Sequence, residues 1–250
     1  MIPTNLLLIC VLLWIPISSI AAVYGPILEQ IKPDSITFIG ESHKKPESVE
    51  LFQNLVLDVV KVHHCVVIGL EIASDQQATL DAVMQSKSSV DKIKLWPPLD
   101  HVDYRRMIEN FADFKRKGQC IRVIAIDSGT DNEIDRDQWM ASRLEEQAGD
   151  KPILVLLGAM HTLKSVNWTV SSGKPSVAEL LSNKGFKINS FPQRWIPDKC
   201  KAQKRTSRFV SVDSPQALTI LNESLISLIN ATPPKLVAGV VDGFLVWECA

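Results

Sequence analysis

The segment at residues 35–43, SITFIGESH, joins an apolar run of strand length to a glycine, a carboxylate and a histidine. Three further apolar runs of similar length follow along the chain. They are residues 65–70, 121–126 and 153–157. Hydrophobicity in these runs is nearly continuous rather than alternating, which is typical of strands covered on both faces of a parallel sheet.

Segments of helical period separate these runs. Residues 47–60 and residues 103–117 each place apolar side chains on one face of a helix. Further helices are predicted over residues 137–147, 176–183 and 215–228, and later strands over residues 187–191 and 244–247. This alternation predicts a single α/β domain with an open, mostly parallel sheet, right-handed crossovers and helices on both faces.

The composition fits such a domain and excludes several other classes of protein. The 250-residue chain is 46% hydrophobic and 22% charged, and 27 Lys+Arg against 28 Asp+Glu give a formal net charge of -1. This amount of apolar material argues against disorder. A near-neutral charge argues against nucleic acid as a partner and against broad attraction to an anionic membrane.

Residues 1–22 form a separate segment. No charged side chain occurs before Glu29, and residues 6–15 are an unbroken apolar run followed by small residues. This pattern predicts a secretory signal peptide cleaved after Ala21 or Ala22. An uncleaved anchor is the alternative, because the segment lacks Lys and Arg and residues 6–22 approach the length of a spanning helix. We therefore predict an exported protein (periplasmic, cell-envelope or secreted), with residues 23–250 as one domain and membrane contact only through an uncleaved head.

Four cysteines follow the apolar head: Cys65, Cys120, Cys200 and Cys249. An even number in an exported chain permits two disulfides. Cys65 and Cys120 each precede an apolar run, so we expect them at the same edge of the sheet, either bridged or simply buried. A bridge between Cys200 and Cys249 would hold the C-terminus in place.

Polar residues follow each of the first four predicted strands. In chain order these residues are Glu41 with His43, Glu71, Asp127 and His161. Because the carboxyl ends of parallel strands share one edge, where open α/β folds bind ligands, we expect these side chains to converge. A glycine three residues before each histidine, Gly40 and Gly158, allows a sharp turn and a close approach of a ligand.

Histidine with carboxylates and no thiolate is a nitrogen and oxygen donor set, which suits zinc, manganese, iron or cobalt. His43, Glu71 and His161 are the candidate ligands, and a bound divalent ion would activate water. Without a metal, His43 paired with Glu41 or Glu71 can act as a general base. A third alternative needs no catalysis, since His43 and His161 can be axial ligands of haem iron.

Gly40-Glu-Ser-His43 and Gly158-Ala-Met-His161 form a pair of GxxH motifs that resembles the Tiki superfamily. This grouping includes Tiki and TraB metalloprotease-like proteins, erythromycin-esterase-like hydrolases and ChaN-like haem-binding proteins, and the ChaN-like branch is the most similar. Further similar segments are residues 69–77, Asp103-Tyr104-Arg105 with residues 122–127, residues 136–141 and residues 242–246. The likeness covers about residues 36–247.

The resemblance implies a function and a set of site residues. Its core would be Glu41, His43, Glu71 and His161, which would be the catalytic residues of a hydrolase. Residues that would support the site or orient a substrate are Arg136, Asp137 and Asp242. The first implied function is an exported ChaN-like protein that binds haem or an iron or other metal ligand. The alternatives are a metal-dependent hydrolase or peptidase and a metal-free esterase-like hydrolase. The implied ligand is haem, a small molecule or a peptide, and a homodimer is one possible assembly.

Several other polar and aromatic residues are expected to have structural roles. Asp127 is interpreted as a turn residue, and Trp96 as a packing residue. The basic residues between Lys199 and Arg208 are interpreted as a solvated loop. His63, His64 and His101 are expected at the surface.

Overall fold

A single sheet of seven strands organises the computed structural model, which describes residues 23–129, 135–170, 173–196 and 205–249. The strands are β1 (Ser35–Glu41), β2 (Cys65–Ala73), β3 (Cys120–Asp127), β4 (Ile153–Gly158), β5 (Lys187–Trp195), β6 (Arg205–Ser211) and β7 (Gly243–Cys249). Their order across the sheet is β3-β2-β4-β1-β5-β7-β6. Neighbouring strands are parallel except β6, which runs antiparallel to β7 at one edge.

Helices connect the strands. They are α1 (Gly25–Leu28), α2 (Pro46–His63), α3 (Gln77–Met84), α4 (Val102–Arg116), α5 (Arg136–Glu145), α6 (Val177–Asn183) and α7 (Pro215–Ser224). Short 3-10 turns lie at Ser74–Gln76, Val90–Lys92, Ala159–Thr162 and Ile226–Leu228. Ser176 caps the N-terminus of α6, because its Oγ accepts the backbone N–H of Glu179 at 3.1 Å.

Apolar side chains from both faces of the sheet are buried. On one face, helices α2 and α4 pack against Ile68 and Leu154, and on the other, α5 and α6 pack against Val67 and Val155. Consecutive strand residues thus enter opposite layers, which explains why the strands are continuously apolar in sequence. The predicted open, mostly parallel α/β domain with helices on both faces is confirmed.

The sequence prediction is wrong at the basic stretch between Lys199 and Arg208. Arg205 and Arg208 lie in β6, whereas Lys199, Lys201 and Lys204 lie outside the described residues. This edge strand is mostly polar, so it lacks the apolar run used to find the others. Its pairing with β7 includes a hydrogen bond of 3.1 Å from Arg208 Nε to Glu248 Oε1.

Of the two alternatives for Cys65 and Cys120, bridged or simply buried, the structure has the bridge. Cys65 and Cys120 occupy paired positions at the amino ends of β2 and β3, and they form a disulfide. The predicted bridge from Cys200 to Cys249 stays a prediction, because Cys200 lies outside the described residues. The predicted export segment, residues 1–22, also lies outside them. Among the helices of the described ranges, none has the length and apolar character needed to cross a membrane.

Candidate functional site

Three carboxylates lie at or near the carboxyl ends of three parallel strands. Glu41 is the last residue of β1, Asp127 is the last residue of β3, and Glu71 lies in β2 where its pairing with β3 shifts register. The neighbouring order β3-β2-β4-β1 brings these strand ends to one edge. All three residues are at most 5% exposed. Burial of a carboxylate is unfavourable without a partner, so the groups that pair with them define the site.

Arg136 pairs with two of these carboxylates. From the first turn of α5 its Nε and Nη2 each donate to Asp127, at 2.8 Å, and Nη2 also donates to Glu71 Oε1 at 2.5 Å. The hydrogen bond to Asp127 is the main reason that the pKa of Arg136 is raised. The other oxygen of Glu71 accepts the backbone N–H of Gly158 at 2.7 Å. The prediction that Asp127 is only a turn residue is therefore wrong, because it anchors Arg136.

His43 pairs with the third carboxylate. Its Nδ1 lies 3.0 Å from Glu41 Oε1, and the Glu41 side chain is completely buried. An ionised carboxylate only accepts hydrogen bonds, so Nδ1 carries the proton and Nε2 is left for another partner. The hydrogen bond to Glu41 raises the pKa of His43, and this effect exceeds the opposing effect of burial. His43 is thus a carboxylate-oriented imidazole whose side chain is 27% exposed.

His161 has the same arrangement with a different carboxylate. It lies in the turn after β4, and its Nδ1 is 2.5 Å from Oδ1 of Asp137, in the first turn of α5. Burial lowers the pKa of His161, but Asp137 and then Glu71 raise it, and the net shift is upward. The candidate site therefore holds two imidazoles, each oriented through Nδ1 by its own carboxylate.

Gly158 lies between the two imidazoles. A Cβ atom built on Gly158 would be 3.5 Å from His161 Cδ2, 3.8 Å from His43 Cε1 and 3.8 Å from Glu71 Oε2. The absence of a side chain at this position leaves the space between the two rings open. Gly40 has a different role, because a Cβ there would come within 2.8 Å of the Ala159 Cα, so it permits close backbone packing.

We expect Gly158→Ala to block ligand access to the site without unfolding the protein. Gly158 has φ -54° and ψ 136°, which alanine adopts, so the free energy of unfolding should change by less than about 1 kcal/mol. The added methyl group should lower the affinity or kcat/KM for any ligand seated between the imidazoles by at least about tenfold. Gly149→Ala is the control, because a Cβ there meets no atom within 4 Å. Equal ligand binding by both variants would contradict this placement.

Trp96 covers part of the site. Its ring contacts the His43 ring in a T-shaped arrangement, with centroids 5.2 Å apart, and the Arg136 guanidinium lies 5.6 Å from its centroid. The residue is 38% exposed. The interpretation of Trp96 as a packing residue is therefore incomplete, because its exposed aromatic surface borders the side chains of His43 and Arg136.

Asp242 does not contact this cluster. One carboxylate oxygen accepts from Lys164 Nζ at 2.7 Å, and the other accepts from the Ser190 backbone N–H at 2.8 Å. The backbone N–H of Asp242 also donates to the carbonyl oxygen of Ser190. These contacts join the segment before β7 to β5, which is a structural role rather than the predicted orienting role.

The donor set does not fit a divalent ion held by His43, Glu71 and His161. Both oxygens of Glu71 are engaged by Arg136 and Gly158, and one oxygen of Glu41 is engaged by His43. In the part of the chain that the structure describes, no three His, Cys, Asp or Glu side chains are arranged to hold a metal. Haem iron is a different case, because it needs only an imidazole Nε2, and both histidines are oriented through Nδ1.

Sequence reasoning missed two features of the site. Trp96 follows no predicted strand, and it reaches His43 only because the segment before α4 folds over the sheet edge. Tyr104 was singled out only through the family resemblance, although it is fully buried, and its pKa is raised first by that burial and then by Glu41. The one available sequence signal was a tyrosine on the apolar face of an amphipathic helix.

Comparisons with known proteins support the fold. No family model matches the chain, and no curated protein matches it. A solved structure of a Bacillus cereus protein is similar, with a TM-score of 0.63, 12% identity and 92% of each chain covered. An erythromycin esterase mutant in its open conformation has a TM-score of 0.56 and 11% identity, covering 88% of this chain and 91% of that one. ChaN of Campylobacter jejuni, with cofacially bound haem, has a TM-score of 0.52 and 13% identity, covering 90% and 91%.

At these low sequence identities, the structural similarities show only that the chain shares its fold with a ChaN protein and an erythromycin esterase. The fold does not assign a chemistry, since one fold supports several functions. Membership of the Tiki superfamily stays a prediction.

Proposed function

We propose that this chain is a hydrolase of carboxylic esters that activates water with an imidazole. The observation that carries the proposal is the geometry of His43, whose Nδ1 is bound by the buried Glu41 and whose Nε2 faces away from it. The same arrangement at His161 and Asp137 provides a second group that can carry a proton. Two such groups on either side of Gly158 suit general base and general acid catalysis.

The roles of the two histidines follow from a proton balance. Nε2 of neutral His43 accepts a proton from water as the water oxygen attacks the carbonyl carbon, and Glu41 stabilises the resulting imidazolium. The carbonyl electron pair moves onto oxygen. As this intermediate collapses, the bond to the alkoxy oxygen breaks, and protonated His161 donates its Nε2 proton to that oxygen. His43 then releases its proton to solvent, and His161 takes one up. Both imidazoles return to their starting states, and the net reaction adds one water to the ester.

Three observations favour a neutral ester over other substrates. The site is bordered at His43 by the partly exposed Trp96 ring, which can contact an apolar part of the substrate. A protein with the same fold is an erythromycin esterase. Arg136 and Glu71 form an ion pair with each other, so neither offers an unpaired charge that would favour a strongly ionic substrate.

We expect the rate of ester hydrolysis to rise with pH through a midpoint above 6.5 and to fall at more alkaline pH. The pKa of His43 is raised from 6.5 by Glu41, and His43 is active as a base only when neutral. The pKa of His161 is also raised, and loss of its proton removes the acid. The check is kcat/KM for a chromogenic ester as a function of pH. A profile independent of pH near neutrality would contradict these roles.

The same shift has a consequence for stability. A raised His43 pKa means that the ion pair with Glu41 contributes stability fully below pH 6.5 and loses that contribution as pH rises through the folded-state pKa. The active, neutral form of His43 is therefore the less stabilised form. Thermal unfolding measured on the wild type and on His43→Gln should differ most at acidic pH.

A direct activity measurement tests the proposal. The purified protein is assayed with p-nitrophenyl esters of different acyl length, with and without a metal chelator. We expect hydrolysis that the chelator leaves unchanged. Activity that is lost with the chelator and restored by one divalent ion would replace this proposal with the metal-dependent hydrolase or peptidase predicted by the family resemblance.

Haem binding is a second candidate function. It is favoured by two imidazoles that are oriented through Nδ1 and by the exposed ring of Trp96 against one of them, His43, an arrangement suited to axial ligation and to contact with a flat macrocycle. ChaN, a protein with the same fold, binds haem cofacially. Haemin titration should give a shifted Soret band that His43→Ala or His161→Ala removes. An unchanged haemin spectrum would eliminate this candidate.

We also propose that the protein is exported. The apolar, uncharged segment at residues 1–22 and the disulfide between Cys65 and Cys120 support this location, because disulfides persist in oxidising compartments. Fractionation of cells that express the full chain, followed by mass measurement of the purified protein, tests it. Retention in the cytosol with free thiols at both cysteines would contradict it.

A further inference from the structure

The hydroxyl of Tyr104 lies in the protein interior next to the carboxylates of the site. Tyr104 is 0% exposed, in the first turn of α4. Among the described residues its hydroxyl oxygen has no hydrogen-bond partner. The buried residues that follow it on α4, such as Ile108 and Phe111, are apolar, so packing alone would be satisfied by phenylalanine. A buried hydroxyl at this position therefore needs a polar partner.

The surrounding charges indicate which partner. Burial raises the pKa of Tyr104 most, followed by Glu41, Glu71 and Asp127 in that order. Glu71 and Asp127 already accept hydrogen bonds from Arg136. Glu41 uses Oε1 for His43, while its Oε2 is buried and has no partner within the described residues. The hydroxyl is a donor and this oxygen is an acceptor, so the two unmatched atoms are complementary.

His101 is the competing partner. Its ring contacts Tyr104 with centroids 6.0 Å apart, and its Nε2 is also buried without a partner within the described residues. A carboxylate accepts a stronger hydrogen bond than a neutral imidazole does, so Glu41 is favoured.

We propose that Tyr104 is a positioning residue that donates a hydrogen bond through one bridging water to Glu41 Oε2, and thereby holds Glu41 Oε1 on His43. This inference rests on the proposed role of His43 as the base. Tyr104 touches no substrate, because its side chain is completely buried. It acts by fixing the orientation of Glu41, which in turn fixes the imidazole.

A kinetic comparison of two tyrosine variants tests the proposal. The chain has two tyrosines, and the other, Tyr24, is also buried and donates to a carboxylate, Asp58 Oδ2, at 3.0 Å in a different part of the fold. Tyr104→Phe should lower kcat for ester hydrolysis by roughly 10- to 100-fold and leave KM unchanged. Tyr24→Phe should leave both constants unchanged. Equal kcat for Tyr104→Phe and wild type would overturn the proposal.

A second measurement does not depend on activity. Protein labelled with 3-fluorotyrosine gives one ¹⁹F resonance for each of the two tyrosines, and the Phe variants assign them. Glu41→Gln should shift the Tyr104 resonance and leave that of Tyr24 in place. If His101→Phe shifts the Tyr104 resonance and Glu41→Gln does not, the hydroxyl bonds to His101 and the proposal is wrong. A Glu41-dependent shift in a protein without esterase activity would support the hydrogen bond and refute only the proposed hydrolysis.

Discussion

Replacing His43 with alanine is expected to lower kcat/KM for ester hydrolysis by about 10²- to 10⁴-fold, the usual contribution of a general base. The expected loss is large because Glu41 cannot take over the role. Its carboxylate is completely buried, so it does not reach the attacking water when the imidazole is absent. Steady-state kinetics with a chromogenic ester measure this effect, and circular dichroism confirms that the variant is folded.

Two companion variants separate catalysis from structure. Glu41→Gln keeps the shape of the side chain but replaces the charge that stabilises protonated His43, so it should also lower kcat. His64→Asn is the matched control, since His64 is an exposed histidine just after α2 whose φ of 64° asparagine tolerates. A control as impaired as His43→Ala would refute the assignment of His43. Full activity of His43→Ala would refute the proposed mechanism itself.

The fold was predictable from the first apolar run and its repeats. Residues 35–39 and the three similar runs became β1, β2, β3 and β4, because strands buried on both faces leave a continuous apolar pattern. Strand β6 was not predictable in the same way. It is an edge strand held by pairing with β7, and such pairing depends on residues distant in sequence.

The candidate site was predictable only in part. Glu41, Glu71 and Asp127 were expected together because parallel strands end at a common edge, and the structure has them there. The family resemblance named Arg136 as a supporting residue, but which carboxylates it pairs with was not predictable. Arg136 joins Asp127 to Glu71 across nine and 65 residues of sequence, and its position depends on how α5 packs on the sheet. Neither a motif nor a periodicity records that packing.

The buried charges have a common arrangement. Each carboxylate at the sheet edge is matched with a specific cationic or proton-carrying group, and the two imidazoles are the members that keep a nitrogen free. Glu71 and Asp127 are fixed by Arg136, so they are unsuited to exchange protons during a reaction. This division separates the structural carboxylates from the two pairs that can take part in catalysis, His43 with Glu41 and His161 with Asp137.

Arg136→Met is expected to reduce the free energy of unfolding by about 3–5 kcal/mol, the cost of leaving buried carboxylates without a counter-charge. Glu71 and Asp127 have side chains that are 1% and 7% exposed, so both depend on the guanidinium for a counter-charge. Arg136→Lys should recover only part of the loss, because one ammonium cannot reproduce the two parallel bonds to Asp127. Arg116→Ala removes an exposed ion pair with Asp113 and should cost less than about 1 kcal/mol.

Urea unfolding of carboxamide variants distinguishes charge from packing as the cause of this loss. Glu71→Gln and Asp127→Asn remove the two buried negative charges without changing the shape of the side chains. In a protein that carries both changes, Arg136→Met should therefore cost much less stability than it costs in the wild type. An equal cost in both backgrounds would mean that Arg136 stabilises the sheet edge by packing, including its contact with Trp96, and not by neutralising the two carboxylates.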